Sequence, residues 1–405
     1  MFPSLCLMMF LQFFIWGSWF TTIAVFMASH GMANLTHWPY TVNPVAAILS
    51  PFFLGLIADR YFPPERVLGW LHILAGFVML IVPWTVDNPV LFIILLLVYN
   101  LFYMPTLGLV NTITFHRIER REEQYPKIRV FGTIGWISAG LLISFILGFF
   151  SYEIIPEKTS LPLYTSSIAG LVLGGYSFSL RRTRPPASGR RASIRSLIGL
   201  DVLKEMGSKS FYIFLFSAFL LCIPLAFYYN FTQIYLEVAG FKSIAGVQTL
   251  GQVSEVLLML CMPLFFRKLG VKRMLLIAMG AWIMRYCLFS LGAPDIIWGL
   301  IVMGIILHGI CYDFFFVTAH VYMDKQVPPA SRGQAQGLFV FVSNGMGMLV
   351  GAQIAGWVYN LFLDSKDTLS LSDWQLFWFF PAVLVTVVLV IFSLAFRELK
   401  SSHFK

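Results

Sequence analysis

Three ionisable residues lie inside or at the end of long apolar runs of this sequence: Arg129, Glu255 and Asp313. The chain has 405 residues, of which 58% are hydrophobic and only 12% are charged. A charge at membrane depth is costly unless it faces a polar cavity or a partner. A chain that keeps both signs of charge at such positions is therefore expected to use them on a substrate or on a proton.

The run that contains Arg129 places three useful side chains on one face of a helix. Arg129, Thr133 and Trp136 stand at i, i+4 and i+7, so they point the same way. They offer a cation, a hydroxyl and a large aromatic ring to a ligand. An equal alternative is that Arg129, near the end of its run, extends to the lipid headgroups.

The run around residue 255 combines an amide with a carboxylate. Gln252 and Glu255 stand at i and i+3 between apolar residues. Together they can bind a vicinal diol or the edge of a base, and each group left unmatched away from water is costly, which gives selectivity. The alternative is a structural hydrogen bond between helices. We favour a binding role because the burial of a glutamate carboxylate is costly and is expected to serve a function.

A third run carries His308, Tyr312 and Asp313, the first two at i and i+4. Removal from water favours the neutral form of a carboxyl group, so Asp313 or Glu255 can bind and release a proton near neutral pH. That is the physical requirement for proton coupling. His308 fits a hydrogen-bonded core histidine as well as a ligand-binding residue.

Two further residues complete the candidates. Tyr229 is one of several aromatic residues that could stack on a planar ligand, although most aromatic side chains in a chain with 40 Phe serve packing. Arg285 is the remaining charge within an apolar run. We expect it to be structural, paired with a carboxylate or with a helix C-terminus.

The elements that must position these side chains are membrane helices, since about 20 apolar residues in a helix cross a bilayer. The sequence predicts an all-α membrane protein with twelve spans, at 8–28, 41–58, 67–85, 89–115, 128–150, 160–180, 211–236, 246–266, 272–292, 295–322, 333–362 and 374–396. Prolines interrupt the second span. The fourth, tenth and eleventh are long enough to tilt or kink.

The basic residues indicate topology. The net charge is +9, but Lys and Arg concentrate in alternate loops, and the opposite loops carry only Lys158, Lys242 and Lys366. The positive-inside rule then places both termini in the cytoplasm. This distribution argues against nucleic acid as a partner and leaves contact with anionic membrane lipid.

The chain divides into two halves. We predict a six-helix bundle over 1–180, a basic cytoplasmic linker rich in Pro and Ser over 181–209, and a second six-helix bundle over 210–405. This organisation is typical of secondary transporters, which bind substrate near the bilayer midplane between the halves. Sequence patterns of ATP-binding loops, zinc proteases and serine hydrolases are absent, so we expect neither an enzyme nor a cofactor or metal.

The loop after the second span, GLIADR at 55–60 with Arg66 beyond it, resembles the signature loop of the major facilitator superfamily. A degraded copy, RKLGVKR at 267–273, lies at the equivalent place in the second half. The resemblance implies a gating role for Asp59, Arg60 and Arg66, in which Asp59 caps a helix or pairs with an arginine. A generic polar hairpin is the alternative.

Eight stretches along the whole chain make the resemblance more specific: LQFFIWGSW (11–19), GLIADR (55–60), YMPTLGLVNTI (103–113), IRVFGTIG (128–135), QVSE (252–255), DFF (313–315), AQG (335–337) and DWQ (373–375). With them the chain resembles the nucleoside:proton symporter family of that superfamily. The resemblance implies a nucleoside importer of the bacterial inner membrane, working by alternating access and driven by the proton gradient. We expect it to be a monomer.

The resemblance also implies roles for single residues. The family's substrate and coupling positions fall on Arg129, Thr133, Gln252, Glu255 and Asp313, with Asp313 the leading proton carrier. This chain departs from the pattern: Trp136 and His308 stand where the family's enteric members have Phe and Tyr, and Ala226 and Tyr229 lie near positions where they have Gln and Asn. Base preference therefore stays open.

Other functions remain as alternatives. The chain could be a proton-coupled permease for another polyol, a glycoside or a nucleobase, or it could be an exporter. A scaffold or receptor would not need buried charges. A membrane-embedded hydrolase would need a pair of nucleophile and base that the sequence does not offer.

Overall fold

The computed structural model describes residues 2–53, 62–150, 155–181, 203, 208–327, 331–363 and 368–397. Regular structure in these ranges is helical, without a β-strand. Ten helical segments of this described part are long and apolar enough to cross a membrane: Phe2–Ser29, Pro64–Thr85, Pro89–Arg117, Glu123–Leu147, Lys209–Val238, Ile244–Met262, Leu264–Gly292, Trp298–Lys325, Gln334–Leu363 and Leu371–Ala395. The all-helical, multi-span character predicted from the sequence is confirmed.

The chain forms two compact units. The first comprises Met1–Ala192 and Phe241–Thr249, and the second comprises Ser193–Gly240 and Leu250–Lys405. The predicted linker, 181–209, lies almost wholly outside the described residues.

The first unit contains seven labelled helices: α1 (Phe2–Phe20), α2 (Ile23–Ser29), α3 (Trp38–Phe53), α4 (Pro64–Ile81), α5 (Pro89–Arg117), α6 (Arg121–Leu141) and α7 (Leu161–Ser177). Helix α6 packs along α1, and α4 packs between α5 and α7. The start of α5 shows how the sequence sets a boundary: Asn88 accepts a hydrogen bond from Leu91 N at 3.2 Å, and Pro89 follows the cap.

The remaining helices are α8 (Lys209–Val238), α9 (Ile244–Gly292), α10 (Trp298–Ile306), α11 (His308–Tyr312), α12 (Thr318–Lys325), α13 (Arg332–Val340), α14 (Met348–Leu363) and α15 (Leu371–Ala395). In the second unit, α8 packs against α14 and α15. Helix α15 begins with a capping box between Ser370 and Asp373.

Helix α9 breaks at Gly270, whose φ of 71° and ψ of 178° are not helical. A positive φ is readily adopted by glycine and is strained for residues with a Cβ atom. The break falls within the segment 267–273, where the sequence predicts a loop between two spans. The structure confirms a break there, with helical residues on both sides of Gly270.

The first turn of α9 belongs to the first unit because side chains of that unit cap it. The Glu157 carboxylate accepts a hydrogen bond from Ala245 N at 3.1 Å, and the Ser144 hydroxyl accepts one from Gly246 N at 2.8 Å. Ser144 also donates to Glu157. These bonds satisfy amides that a helix N-terminus leaves unpaired.

Within the described residues, three π-helical segments interrupt the helices: Leu142–Leu147 after α6, Asp313–Val317 between α11 and α12, and Phe341–Gly347 between α13 and α14. The last two lie in the predicted tenth and eleventh spans, for which the sequence indicated tilting or kinking. Such insertions are frequent at functional sites. Asp313 is the first residue of the second one.

Two predicted spans match shorter helices. The span at 41–58 overlaps α3, which has 16 residues up to Phe53, and residues 54–61 lie outside the described ranges. The span at 160–180 overlaps α7, which has 17 residues. Helix α6 begins at Arg121, although the sequence predicts a start at 128.

Candidate functional site

Arg129 lies more than two turns inside α6 because that helix starts earlier than predicted. Its side chain is half-buried, and its Cζ atom lies 4.2 Å from the centre of the Phe13 ring. This is a cation–π contact, which holds the cation without neutralising it. Among the described residues the Arg129 guanidinium has no carboxylate partner.

Thr133 and Trp136 share the half-buried face of α6 with Arg129, as the spacing predicts. The Trp136 ring packs edge-on against Trp16 of α1 at 5.6 Å between ring centroids, and lies 6.1 Å from Phe20. The face thus combines a cation, a hydroxyl and an aromatic surface. These are the groups that a hydroxylated, planar ligand needs.

The first unit also holds a buried polar network that the sequence interpretation missed. The Gln12 side chain donates to the Thr106 hydroxyl at 2.7 Å, and Nε2 of His72 donates to Gln12 Oε1 at 2.8 Å. The Tyr103 hydroxyl donates to the Gln12 carbonyl at 2.6 Å. Polar residues inside apolar runs were the available signal, but their pairing depends on which helices are neighbours.

In the second unit the structure brings Glu255 and His308 together. Nε2 of His308 lies 3.9 Å from a carboxylate oxygen of Glu255. Their helices approach closely because Gly309 has no side chain: a Cβ atom there would lie 2.6 Å from the Ser254 carbonyl carbon. Gly309 N also donates to the Ser254 hydroxyl at 3.0 Å.

The other polar and aromatic candidates lie around this pair. Gln252 is buried, and its Oε1 atom has no hydrogen-bond partner among the described residues. The rings of Tyr229 and Tyr312 lie 6.1 Å and 5.6 Å from the His308 ring. Unit two thus groups Gln252, Glu255, Tyr229, Tyr312 and His308, all of which the sequence predicts as substrate-binding residues.

Asp313 is fully buried, and neither carboxyl oxygen has a hydrogen-bond partner within the described part of the chain. It is close enough to Glu255 for their charges to interact. An ionised carboxylate without a donor is costly in a low-dielectric interior. A carboxyl group that exchanges a proton during a transport cycle avoids this cost, since it is protonated and neutral when buried and ionised only when exposed to water.

Arg285 does not show the expected carboxylate partner among the described residues. Its Nη2 atom lies 3.2 Å from Nδ1 of His308, and its Cζ atom lies 4.3 Å from the centre of the Tyr228 ring. The side chain is fully buried, and its Nε and Nη1 atoms have no hydrogen-bond partner there. Sequence reasoning set this residue aside, although it contacts the predicted site.

The candidate gating residues are mostly outside the described ranges. Asp59 and Arg60 fall in 54–61, and Arg66 is an exposed residue in the first turn of α4. Beside it, Glu65 forms a buried ion pair of 2.8 Å with Arg117 at the end of α5. Within the described residues no cluster of His, Cys, Asp or Glu could hold a metal ion.

The family comparison decides the class of the protein. A family model described as "Nucleoside H+ symporter" matches residues 2–401. The chain belongs to the nucleoside:proton symporter family. The resemblance seen in the eight sequence stretches is thereby confirmed, as is the expectation of a transporter and not an enzyme.

Curated relatives of this symporter-family chain match over nearly its full length. It is 38% identical to the putative nucleoside transporter YegT of Escherichia coli K12, over 98% of this chain and 93% of the relative. It is 29% identical to the nucleoside permease NupG of the same organism, over 97% and 95% of the two chains. A xanthosine permease of that organism is also 29% identical, over 96% and 94%.

Solved structures support the same fold. The crystal structure of the nucleoside transporter NupG matches with a TM-score of 0.84 and 28% identity, covering 98% of this chain and 99% of that one. A D-xylose–proton symporter matches with a TM-score of 0.73 at 13% identity, covering 100% and 99%, which is a likeness of fold alone. The predicted all-α transporter fold is confirmed.

Proposed function

We propose that this chain is a proton-coupled nucleoside importer. The proposal is supported by the family, whose description names nucleoside and proton, and by relatives named as nucleoside and xanthosine permeases. The observation that carries it is Asp313, a fully buried carboxyl group without a partner among the described residues, close enough to Glu255 for their charges to interact and at the start of a π-helical segment. This is the constellation that proton exchange requires.

In this proposal polar and aromatic side chains have different parts in binding the nucleoside. Arg129, Thr133, Gln252 and Glu255 bind the ribose hydroxyls and the polar edge of the base. The aromatic rings of Trp136, Tyr229 and Tyr312 stack on the base, and His308 lies behind them against Glu255. Hydrogen bonds of this kind reject analogues that lack a hydroxyl or an amide.

The coupling step follows from the carboxyl groups. Asp313 takes up a proton on the outer side, stays neutral while the site is closed, and releases the proton when the site opens inward. Glu255 is the second candidate for this role. Alternating access is the mode of transport that the fold and family favour.

The remaining features complete the proposal. The protein is a multi-pass protein of the bacterial inner membrane with both termini in the cytoplasm, and it works as a monomer in contact with lipid. It needs no cofactor because the proton gradient drives it, and nucleic acid is not a partner. Asp59, Arg60 and Arg66 take part in gating on the cytoplasmic side.

The experiment is uptake into proteoliposomes that contain the purified chain. Labelled uridine and adenosine should accumulate when the outside is made acidic, and a protonophore should collapse the accumulation. Free ribose and free bases should compete poorly. Strong competition by a free base, a glycoside or another polyol would replace nucleosides as the substrate class, and absence of any substrate-dependent flux would contradict transport.

A further inference from the structure

Arg285, His308 and Glu255 form one contact chain across the second unit. His308 is 1% exposed, so its ring is enclosed by protein and is not open to a ligand in this structure. One ring nitrogen faces Arg285 at 3.2 Å, and the other faces Glu255 at 3.9 Å. The ring therefore lies between a permanent cation and the carboxylate proposed to bind substrate.

The contact with Arg285 determines the tautomer of His308. A guanidinium group has only donors, so Nδ1 of His308 must accept and must carry no proton. The proton of the neutral ring is then on Nε2, the nitrogen that faces Glu255. The contact chain runs in one direction: Arg285 donates to His308, and His308 presents an N–H group to Glu255.

The surroundings hold the ring in this orientation. The His308 ring is stacked with the Tyr228 ring at 5.2 Å between centroids. A Cβ atom at Gly251 would lie 3.0 Å from the His308 Cβ, so the backbone of α9 lies close to this side chain. Tyr228 also lies under the Arg285 guanidinium at 4.3 Å. A shared aromatic surface thus fixes the cation and the imidazole together.

We propose that His308 is a positioning residue, locked by Arg285 into the Nε2–H tautomer, that orients the Glu255 carboxylate for nucleoside binding. The inference rests on the proposed function and deepens it. It replaces the expected direct contact of His308 with substrate by an action through Glu255. It also gives Arg285 a part in substrate affinity, whereas sequence reasoning predicted a structural pair with a carboxylate.

Four variants test the contacts of His308 with Arg285 and with Glu255 separately. His308→Phe keeps the stacked ring but removes both nitrogens, and nucleoside affinity should fall about ten-fold or more, the size of one hydrogen bond to a charged group. His308→Asn keeps an acceptor for Arg285 but is too short to reach Glu255, so its nucleoside affinity should be as low as that of His308→Phe. His308→Gln reaches the Nε2 position with a donor and should recover part of the affinity.

The fourth variant, Arg285→Met, removes the donor that sets the tautomer. It should lower nucleoside affinity as His308→Phe does. The double variant with both changes should bind nucleoside no less tightly than the weaker-binding single variant, because both residues act through one contact chain. The partner of Arg285 is a neutral His308 ring, so a methionine there leaves no charge of a pair unmatched, and this variant is expected to fold. Independent, additive losses would overturn the shared chain.

The deciding measurement is the calorimetric affinity of the purified full-length variants for uridine and adenosine, with the unfolding temperature of each. A role in packing alone would lower the unfolding temperature but leave the affinity of the folded protein unchanged in all four variants, and this would overturn the inference. If His308→Phe does not fold, the comparison of Asn with Gln decides: equal affinities in these two would overturn it. A wild-type chain that binds no nucleoside would instead refute the proposed function.

Discussion

Gln12 of α1 and Thr106 of α5 are joined by a hydrogen bond of 2.7 Å inside the first unit, where both side chains are fully buried. The other end of the Gln12 amide accepts from His72 of α4 at 2.8 Å. One side chain thus satisfies polar groups of two other helices. A buried hydrogen-bond network of this kind favours one arrangement of neighbouring helices.

Removal of this amide should destabilise the protein. Gln12→Leu leaves Nε2 of His72 buried without an acceptor, while the Thr106 hydroxyl keeps its bond to the Tyr103 carbonyl, so the cost should be about 1–3 kcal/mol. We expect a clear drop in the unfolding temperature of the purified protein in detergent. An unchanged unfolding temperature would show that the network does not stabilise the first unit.

Thr133 provides the matched contrast in the same unit. No hydrogen bond of its half-buried hydroxyl is found among the described residues, so Thr133→Val should change stability by no more than about 0.5 kcal/mol. If the hydroxyl binds nucleoside, the KM for uptake should rise several-fold. A variant with normal KM would remove Thr133 from the binding site.

The buried ion pair between Glu65 and Arg117 gives a prediction about the ends of α4 and α5. Glu65→Gln leaves the Arg117 charge without its partner and should cost about 3–5 kcal/mol. The exposed pair between Arg120 and Glu123, at 73% and 60% side-chain exposure, is the control: Glu123→Gln should cost less than about 1 kcal/mol. Equal unfolding temperatures for the two glutamine variants would contradict the difference in burial.

His37, in the connection before α3, predicts a pH dependence of stability. Burial lowers the pKa of His37 from its ordinary value of 6.5 to about 4. The unfolded chain binds the proton at a higher pH than the folded one. The contribution of His37 to the free energy of unfolding is therefore fully present above pH 6.5 and is lost as the pH drops toward 4, by about 3 kcal/mol. His37→Gln should flatten this part of the profile, whereas the same change at the exposed His116 should leave it intact. A wild-type profile in His37→Gln would refute the assignment.

Much of the fold can be predicted from apolar runs because a membrane helix needs about 20 such residues. The helix boundaries are harder to predict, as α6 shows. Its first turns, from Arg121, are polar, and hydropathy detects only the apolar part that follows. The break at Gly270 is predictable because a glycine among basic residues separates two apolar runs. The π-helical segment at Asp313 has no comparable signal in the sequence.

The sequence predicts which candidate site residues share a face of one helix, but it does not predict which residues of different helices are in contact. Spacing correctly groups Arg129, Thr133 and Trp136 on one face of α6, because that grouping is a property of helical geometry. The contact of Arg285 with His308 joins residues on different helices, and no local pattern shows which helices are neighbours. The sequence therefore identified the buried charges but not the partners that set their chemistry.

The proposed coupling of proton entry to nucleoside entry by Asp313 is tested directly by one measurement. Uridine is added to unenergised proteoliposomes in a weakly buffered medium, and the external pH is recorded. The wild-type chain should make the medium more alkaline as protons enter with uridine. Asp313→Asn should abolish this change while still exchanging labelled uridine for unlabelled uridine across the membrane. Uridine-dependent alkalinisation of normal size by the Asp313→Asn variant would contradict the account.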